Sequence, residues 1–150
     1  MRVYFDACCL SRLTDDQTQP RIRQEAQAVE RTLQLIEDKV ADWITSQALL
    51  EEVAGNPSEE RKAAAEALLA MASETVKMNP AIKRRAEQLQ SSGYGTYDAL
   101  HLATAEASDC QVLLSTDDRF VKRADRRVGN PMIPVRNPIL WLKEQGLDRI

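Results

Sequence analysis

The feature that most constrains this chain is an alternation: short apolar, β-prone runs are separated by longer stretches with helical periodicity. Residues 3–5, 43–45 and 111–115 are such runs, each bounded by polar residues and too short to be helices. Between the first two, Ile22, Ala26, Val29, Leu33 and Ile36 recur at helical spacing from Pro20 to about Asp38, with Arg and Glu on the opposite face. Strands joined through helices pair in parallel and need helices on both faces to bury the sheet. The pattern therefore predicts a three-layer α/β/α sandwich with a central, mainly parallel sheet.

Local signals fill in the rest. Ser46 is placed to cap a helix over 48–54, which Gly55-Asn56-Pro57 ends. Ser58 opens an alanine-rich helix from about Arg61 to Met71, and Pro80 suits the first turn of another to about Gln90. A loop over 91–95 precedes a helix over 97–107 with Thr96 as its cap. Helices over 117–126 and 138–145 follow. Weaker strands are expected over 75–78 and 132–135. No repeat or linker interrupts the 150 residues, so one domain over 1–150 is expected.

Composition closes off several classes. With 43% hydrophobic and 29% charged residues the chain is globular, not disordered. Three cysteines, of which Cys8 and Cys9 are adjacent, fit neither a disulfide framework nor zinc-ligand spacing. The adjacent pair reads as small buried residues in a reducing compartment. No signal-like start and no apolar run of membrane-spanning length is visible, so a cytoplasmic location with no membrane contact is expected. A net charge of −3 does not advertise a nucleic-acid binder, although acids concentrated in one metal site leave the remaining surface less acidic than that figure.

Ligands of parallel sheets bind beyond the carboxyl ends of the strands, and the acids fall there. Asp6 ends the first strand, and Asp117 follows the run over 111–115 by one residue beyond Thr116. Glu52 lies on the helix leaving the second strand, and Asp98 lies in the first turn of the helix before the fourth. Converging carboxylates repel one another unless a cation sits among them, and a hard oxygen set favours Mg²⁺ or Mn²⁺. A structural role competes at three positions: Asp98 and Asp117 suit helix N-termini, and Glu52 suits a solvated helix face. Asp6 has no such structural need.

The segment Thr96-Tyr97-Asp98-Ala99-Leu100-His101-Leu102-Ala103-Thr104-Ala105, followed by residues 112–120 with Ser115-Thr116-Asp117-Asp118-Arg119-Phe120, resembles the C-terminal half of a PIN domain. Residues 3–6 resemble its first strand with the first catalytic Asp, and Ser46 with Glu52 six residues on resembles its second motif. The resemblance covers nearly the whole chain, in order. It implies a metal-dependent ribonuclease, with VapC-like toxins of toxin–antitoxin pairs as the nearest type. Asp6, Glu52, Asp98 and Asp117 would then be the acidic quartet, with a frequent homodimer and a protein antitoxin as partner. Glu51 or Glu52, and Asp117 or Asp118, compete for one place each; spacing favours Glu52 and Asp117. Cys8 departs from the family, which often has Asn or Ser there.

The implied chemistry is in-line hydrolysis of an RNA phosphodiester with one or two cations. Asp6, Asp98 and Asp117 would be direct or water-mediated ligands, and Glu52 would complete the shell or orient water. Thr116 and Ser46 would support the ligands from behind. Arg119, Lys122, Arg123 and Arg126 recur at helical spacing and are candidates for RNA phosphates, as is Arg12; a solvated basic face is the competing reading. His101 reads as a packing residue beside the sheet. Met71, Met78 and the helix from Arg61 read as packing or an antitoxin groove. A dehalogenase-type phosphatase wants a second Asp where Cys8 stands, and a receiver domain wants an acidic pair at the first strand. The remaining rival is a non-catalytic PIN-like module that binds RNA or protein.

Overall fold

The computed structural model describes residues 1–149. Its strands are β1 (Arg2–Phe5), β2 (Asp42–Ser46), β3 (Glu74–Val76), β4 (Val112–Leu114) and β5 (Val135–Arg136). The helices are α1 (Ala7–Ser11), α2 (Pro20–Glu37), α3 (Gln47–Ala54), α4 (Glu59–Leu69), α5 (Pro80–Ser92), α6 (Thr96–Ala107), α7 (Asp118–Asp125) and α8 (Pro138–Gln145). The sheet runs β3-β2-β1-β4-β5 with every pairing parallel, which is the three-layer arrangement expected.

The side-chain period of two sorts the sheet into two cores. Val3 and Phe5, Trp43, and Val112 and Leu114 pack on one face against α1, α2, α3 and α8. Tyr4, Ile44 and Leu113 pack on the other against α5, α6 and α7. Because β1 is central and β4 lies next to it, their carboxyl ends are adjacent: Phe5 pairs with Leu114, and the Asp6 amide donates to the Leu114 carbonyl at 3.1 Å.

Several local expectations shift. β3 begins one residue earlier than 75–78 and is shorter, and β5 is confined to Val135–Arg136, leaving Met132 70% exposed. β5 is the edge strand, so fewer backbone groups need a partner there. α5 runs through Ser92 and ends at Gly93, whose φ of +122° an L side chain rarely adopts. Thr96 is the first helical residue of α6, not its cap; Gly95 holds that place and no side chain caps the helix. The short helix α1 follows directly on Asp6 and has too few residues to show periodicity.

Candidate active site

Three of the four acids owe their position to a strand end or a first helical turn. Asp6 leaves β1 and caps α1: its Oδ1 accepts from the Cys9 amide at 3.0 Å, and the residue is only 2% exposed. Asp117 leaves the β4 edge and caps α7, its Oδ1 accepting from the Arg119 amide at 3.0 Å. The Asp117 amide in turn donates to Ser115 Oγ at 3.0 Å. Asp98 sits in the first turn of α6 and Glu52 in the middle of α3. Capping thus accounts for one oxygen of Asp6 and one of Asp117, leaving a second oxygen on each.

The electrostatics tie the four together. Burial pushes the Asp6 carboxyl up to about 6; the Ser115 hydroxyl, the Cys9 amide and His101 pull the other way, and Glu52 adds to the rise. Burial also pushes Asp98 up to about 6, reinforced by the charges of Asp6, Asp117 and Glu52. Among the described residues none of Asp6, Asp98 and Asp117 is in an ion pair with Lys, Arg or His, and Glu52 pairs only with His101. Among the described residues no Lys or Arg pairs with any of the four, and His101 bonds only Glu52, which leaves a net negative charge that a divalent cation fits. Among the described residues, no group of three or more His, Cys, Asp or Glu side chains is already drawn together around a single ion position.

The competing neighbours separate cleanly. Glu51 is exposed, whereas Glu52 accepts at Oε1 from His101 Nε2 at 2.7 Å. Asp118 turns outward, bound by Arg21 at 2.6 and 2.9 Å, and that guanidinium holds its carboxyl below the usual range. Glu52 and Asp117 are thus the members that face the other acids. Ser46 caps α3, accepting from the Leu49 amide at 3.0 Å. The Thr116 hydroxyl is buried with no hydrogen-bond partner.

The basic candidates divide. Arg119 and Lys122 are exposed on α7. Arg123 lies 5.8 Å over the Tyr94 ring. Arg12 is committed elsewhere, bonding Asp15 at 2.8 Å and the fully buried Glu25 at 2.9 Å.

Two side chains matter more than their sequence signal suggested. Cys9 is buried as expected, but Cys8 is exposed, and the charges of Asp6, Asp117, Asp98 and Glu52 all reinforce the burial that pushes its thiol above the ordinary value. It therefore sits at the rim of the acidic cluster. His101 is 1% exposed, which agrees with packing, yet both its ring nitrogens are bonded, to Glu52 and to Tyr4. Its spacing of three residues from Asp98 was the available signal; Tyr4, in the middle of β1, had none.

An apolar groove of about 710 Å³ runs beside the cluster between α1, α3 and α4. Leu10, Leu13, Val53, Leu68 and Met71 line it, with Glu52 at its edge. Among the described residues no helix is long and apolar enough to cross a membrane.

No match is found among curated proteins. Among solved structures, VapBC2 from Rickettsia felis bound to a DNA fragment from their promoter matches with a TM-score of 0.62 at 15% identity, covering 91% of this chain and 98% of that one. VapBC-1 from nontypeable Haemophilus influenzae matches with a TM-score of 0.60 at 17% identity, covering 92% and 98%. At such identities the likeness is one of fold. The sequence itself matches the PIN domain over residues 3–126, and with that span the chain belongs to the PIN-domain family.

Proposed function

We propose that the chain is a divalent-metal-dependent endoribonuclease of the VapC-like toxin type. The observation that carries this reading is the set of four carboxylates, Asp6, Glu52, Asp98 and Asp117, brought from four elements to one sheet edge with no Lys or Arg to neutralise them. Mg²⁺ or Mn²⁺ bound there would lower the pKa of a water and stabilise the leaving oxygen of a phosphodiester. Asp6 and Asp117 would hold the cation through the oxygens their helix caps leave free, Asp98 would hold it from the first turn of α6, and Glu52 would complete the shell or orient water. The unpartnered Thr116 hydroxyl, one residue before Asp117, is available to a ligand carboxylate or its water. Arg119 and Lys122, exposed two and five residues after Asp117, bind flanking phosphates; Arg123 contributes from beside Tyr94.

The groove between α1, α3 and α4 supports a protein partner. An amphipathic segment laid along Leu10, Leu13, Leu68 and Met71 would end beside Glu52 and obstruct the site. The solved relatives it resembles are VapBC structures, which supports an antitoxin in that place. A homodimer is part of the same family-based reading.

A non-catalytic binding module draws on one observation: no three of the acids are already gathered at one ion position among the described residues. Cleavage of a structured RNA pool with Mn²⁺, with Mg²⁺ and with EDTA, beside Asp6→Asn, separates the two. The enzyme reading requires metal-dependent cutting that Asp6→Asn lowers by more than the roughly 10–100-fold typical of losing an outer-shell partner. Folded, partner-free protein that neither cuts RNA nor binds Mn²⁺ would leave the binding module standing.

A further inference from the structure

A buried chain of side-chain hydrogen bonds ends on Glu52. Ser46 Oγ lies 2.6 Å from the Tyr4 hydroxyl, and that hydroxyl lies 2.6 Å from His101 Nδ1. His101 Nε2 lies 2.7 Å from Glu52 Oε1. Ser46, Tyr4 and His101 are each no more than 1% exposed, so water supplies none of their partners. The three come from β2, β1 and α6, and Glu52 from α3.

The two ends fix the polarity of the whole chain. The Leu49 amide only donates, and it donates to Ser46 Oγ at 3.0 Å. The Glu52 carboxylate only accepts. His101 must therefore carry its hydrogen on Nε2 to meet Glu52. If Nδ1 is bare, it accepts from Tyr4, and Tyr4 accepts from Ser46. Every donor and acceptor is then used once, in one direction. With a hydrogen on Nδ1 as well, Tyr4 would turn round to donate to Ser46, whose own hydrogen would be left in the core without an acceptor, a cost typical of buried unpaired groups.

The imidazole is also clamped. Tyr97 stacks on it with ring centroids 6.0 Å apart and planes 22° apart, and the Tyr4 ring tilts against it at 5.5 Å. The ring cannot swing while both neighbours stay. Glu52, by contrast, is 29% exposed in its side chain and has no other partner among the described residues.

We infer that Tyr4 and His101 are positioning residues, a buried hydrogen-bond chain in which the N–H of His101 Nε2 fixes the direction of the Glu52 carboxylate toward the cation site. The inference rests on the reading of that site as a metal centre. Side chains that donate to metal-site groups from behind act in this way, by orientation, and their loss typically costs about 10–100-fold. Asp6, Asp98 and Asp117 stay in place when the hydrogen-bond chain is cut, because helix caps and strand ends set them.

The test combines nitrogen-15 NMR of His101 with Mn²⁺ titration by calorimetry. Wild type should show a hydrogen on Nε2, bonded to Glu52. His101→Leu, close to isosteric but mute, should weaken Mn²⁺ binding and lower kcat about 10–100-fold with KM for RNA little changed. His101→Gln, which offers an amide N–H near the Nε2 position, should restore most of both. Tyr4→Phe should let the His101 tautomers mix while the far-UV spectrum stays native. A bare Nε2 in wild type overturns the inference, and so does a folded His101→Leu that binds Mn²⁺ as tightly as wild type. Wild type that binds Mn²⁺ yet cuts no RNA would end the nuclease reading alone; the inference would stand if His101→Leu still weakened Mn²⁺ binding. Wild type that binds no Mn²⁺ would overturn both.

Discussion

At the residue scale, the site is a place where stability has been given up. Asp6 and Asp98 are raised to about 6 from an ordinary 3.8, first by burial. Between those values the folded chain holds protons that the unfolded chain has released. Stability of the metal-free protein therefore falls as pH rises through that window, and the penalty is fully present above about 6. Buried Asp6 contributes more than the partly exposed Asp98, which solvent screens. If the site holds Mn²⁺ as proposed, the ion takes the place of the protons and should reverse the trend, its stabilisation present above about 6 and lost below. Melting curves across pH in EDTA and in Mn²⁺ would check both slopes, and Asp6→Asn should flatten the EDTA curve. At this scale the sequence named the acids from strand ends and helix turns. It did not separate Asp117 from Asp118 by chemistry; Arg21, 97 residues away in sequence, does that by engaging Asp118.

Elements were the most legible level, because caps and periodicity are local. Ser46 before α3, Ser58 before α4 and Pro80 at the start of α5 stand where expected. The strands of the sheet centre read clearly since they are buried on both faces. β3 and β5 drifted, because an edge strand's length is set by what it pairs with and not by its own apolar pattern. The caps make a comparison possible. Ser58 donates to nothing buried and caps the Arg61 amide at 3.2 Å, so Ser58→Ala should cost about 1 kcal/mol. Ser46→Ala removes an equivalent cap and also one of the two hydrogen bonds of the Tyr4 hydroxyl, so it should cost more, by the roughly 0.5–1.5 kcal/mol of one hydrogen bond. Urea midpoints of the two variants would show the difference; equal losses would mean that the Ser46–Tyr4 bond contributes nothing.

For the whole molecule, sheet order decides function. β1 lies between β2 and β4, so residues far apart in sequence, Asp6, Glu52, Asp98 and Asp117, share one edge. A second network binds the periphery. Glu25 on α2, fully buried, accepts from Arg12, Arg21 and Asn137, and Arg21 reaches on to Asp118 at the start of α7. Glu25→Ala should cost about 1–3 kcal/mol, below the ~3–5 of a fully enclosed ion pair. The reason is that Arg12 keeps Asp15 and is 22% exposed. The expected signature is a lower urea midpoint with an unchanged slope and metal-dependent cleavage retained, since no carboxylate of the site is touched. The alternation of strands and helices and the caps at Ser46 and Ser58 follow from the sequence alone, because each depends on neighbours within a few residues. Which acid of each adjacent pair turns inward, the pairing of Arg12 with Glu25, the exposure of Cys8 and the chain from Ser46 through Tyr4 and His101 to Glu52 were decided only by the tertiary structure. Those depend on side chains that meet across elements, and no local pattern encodes such meetings.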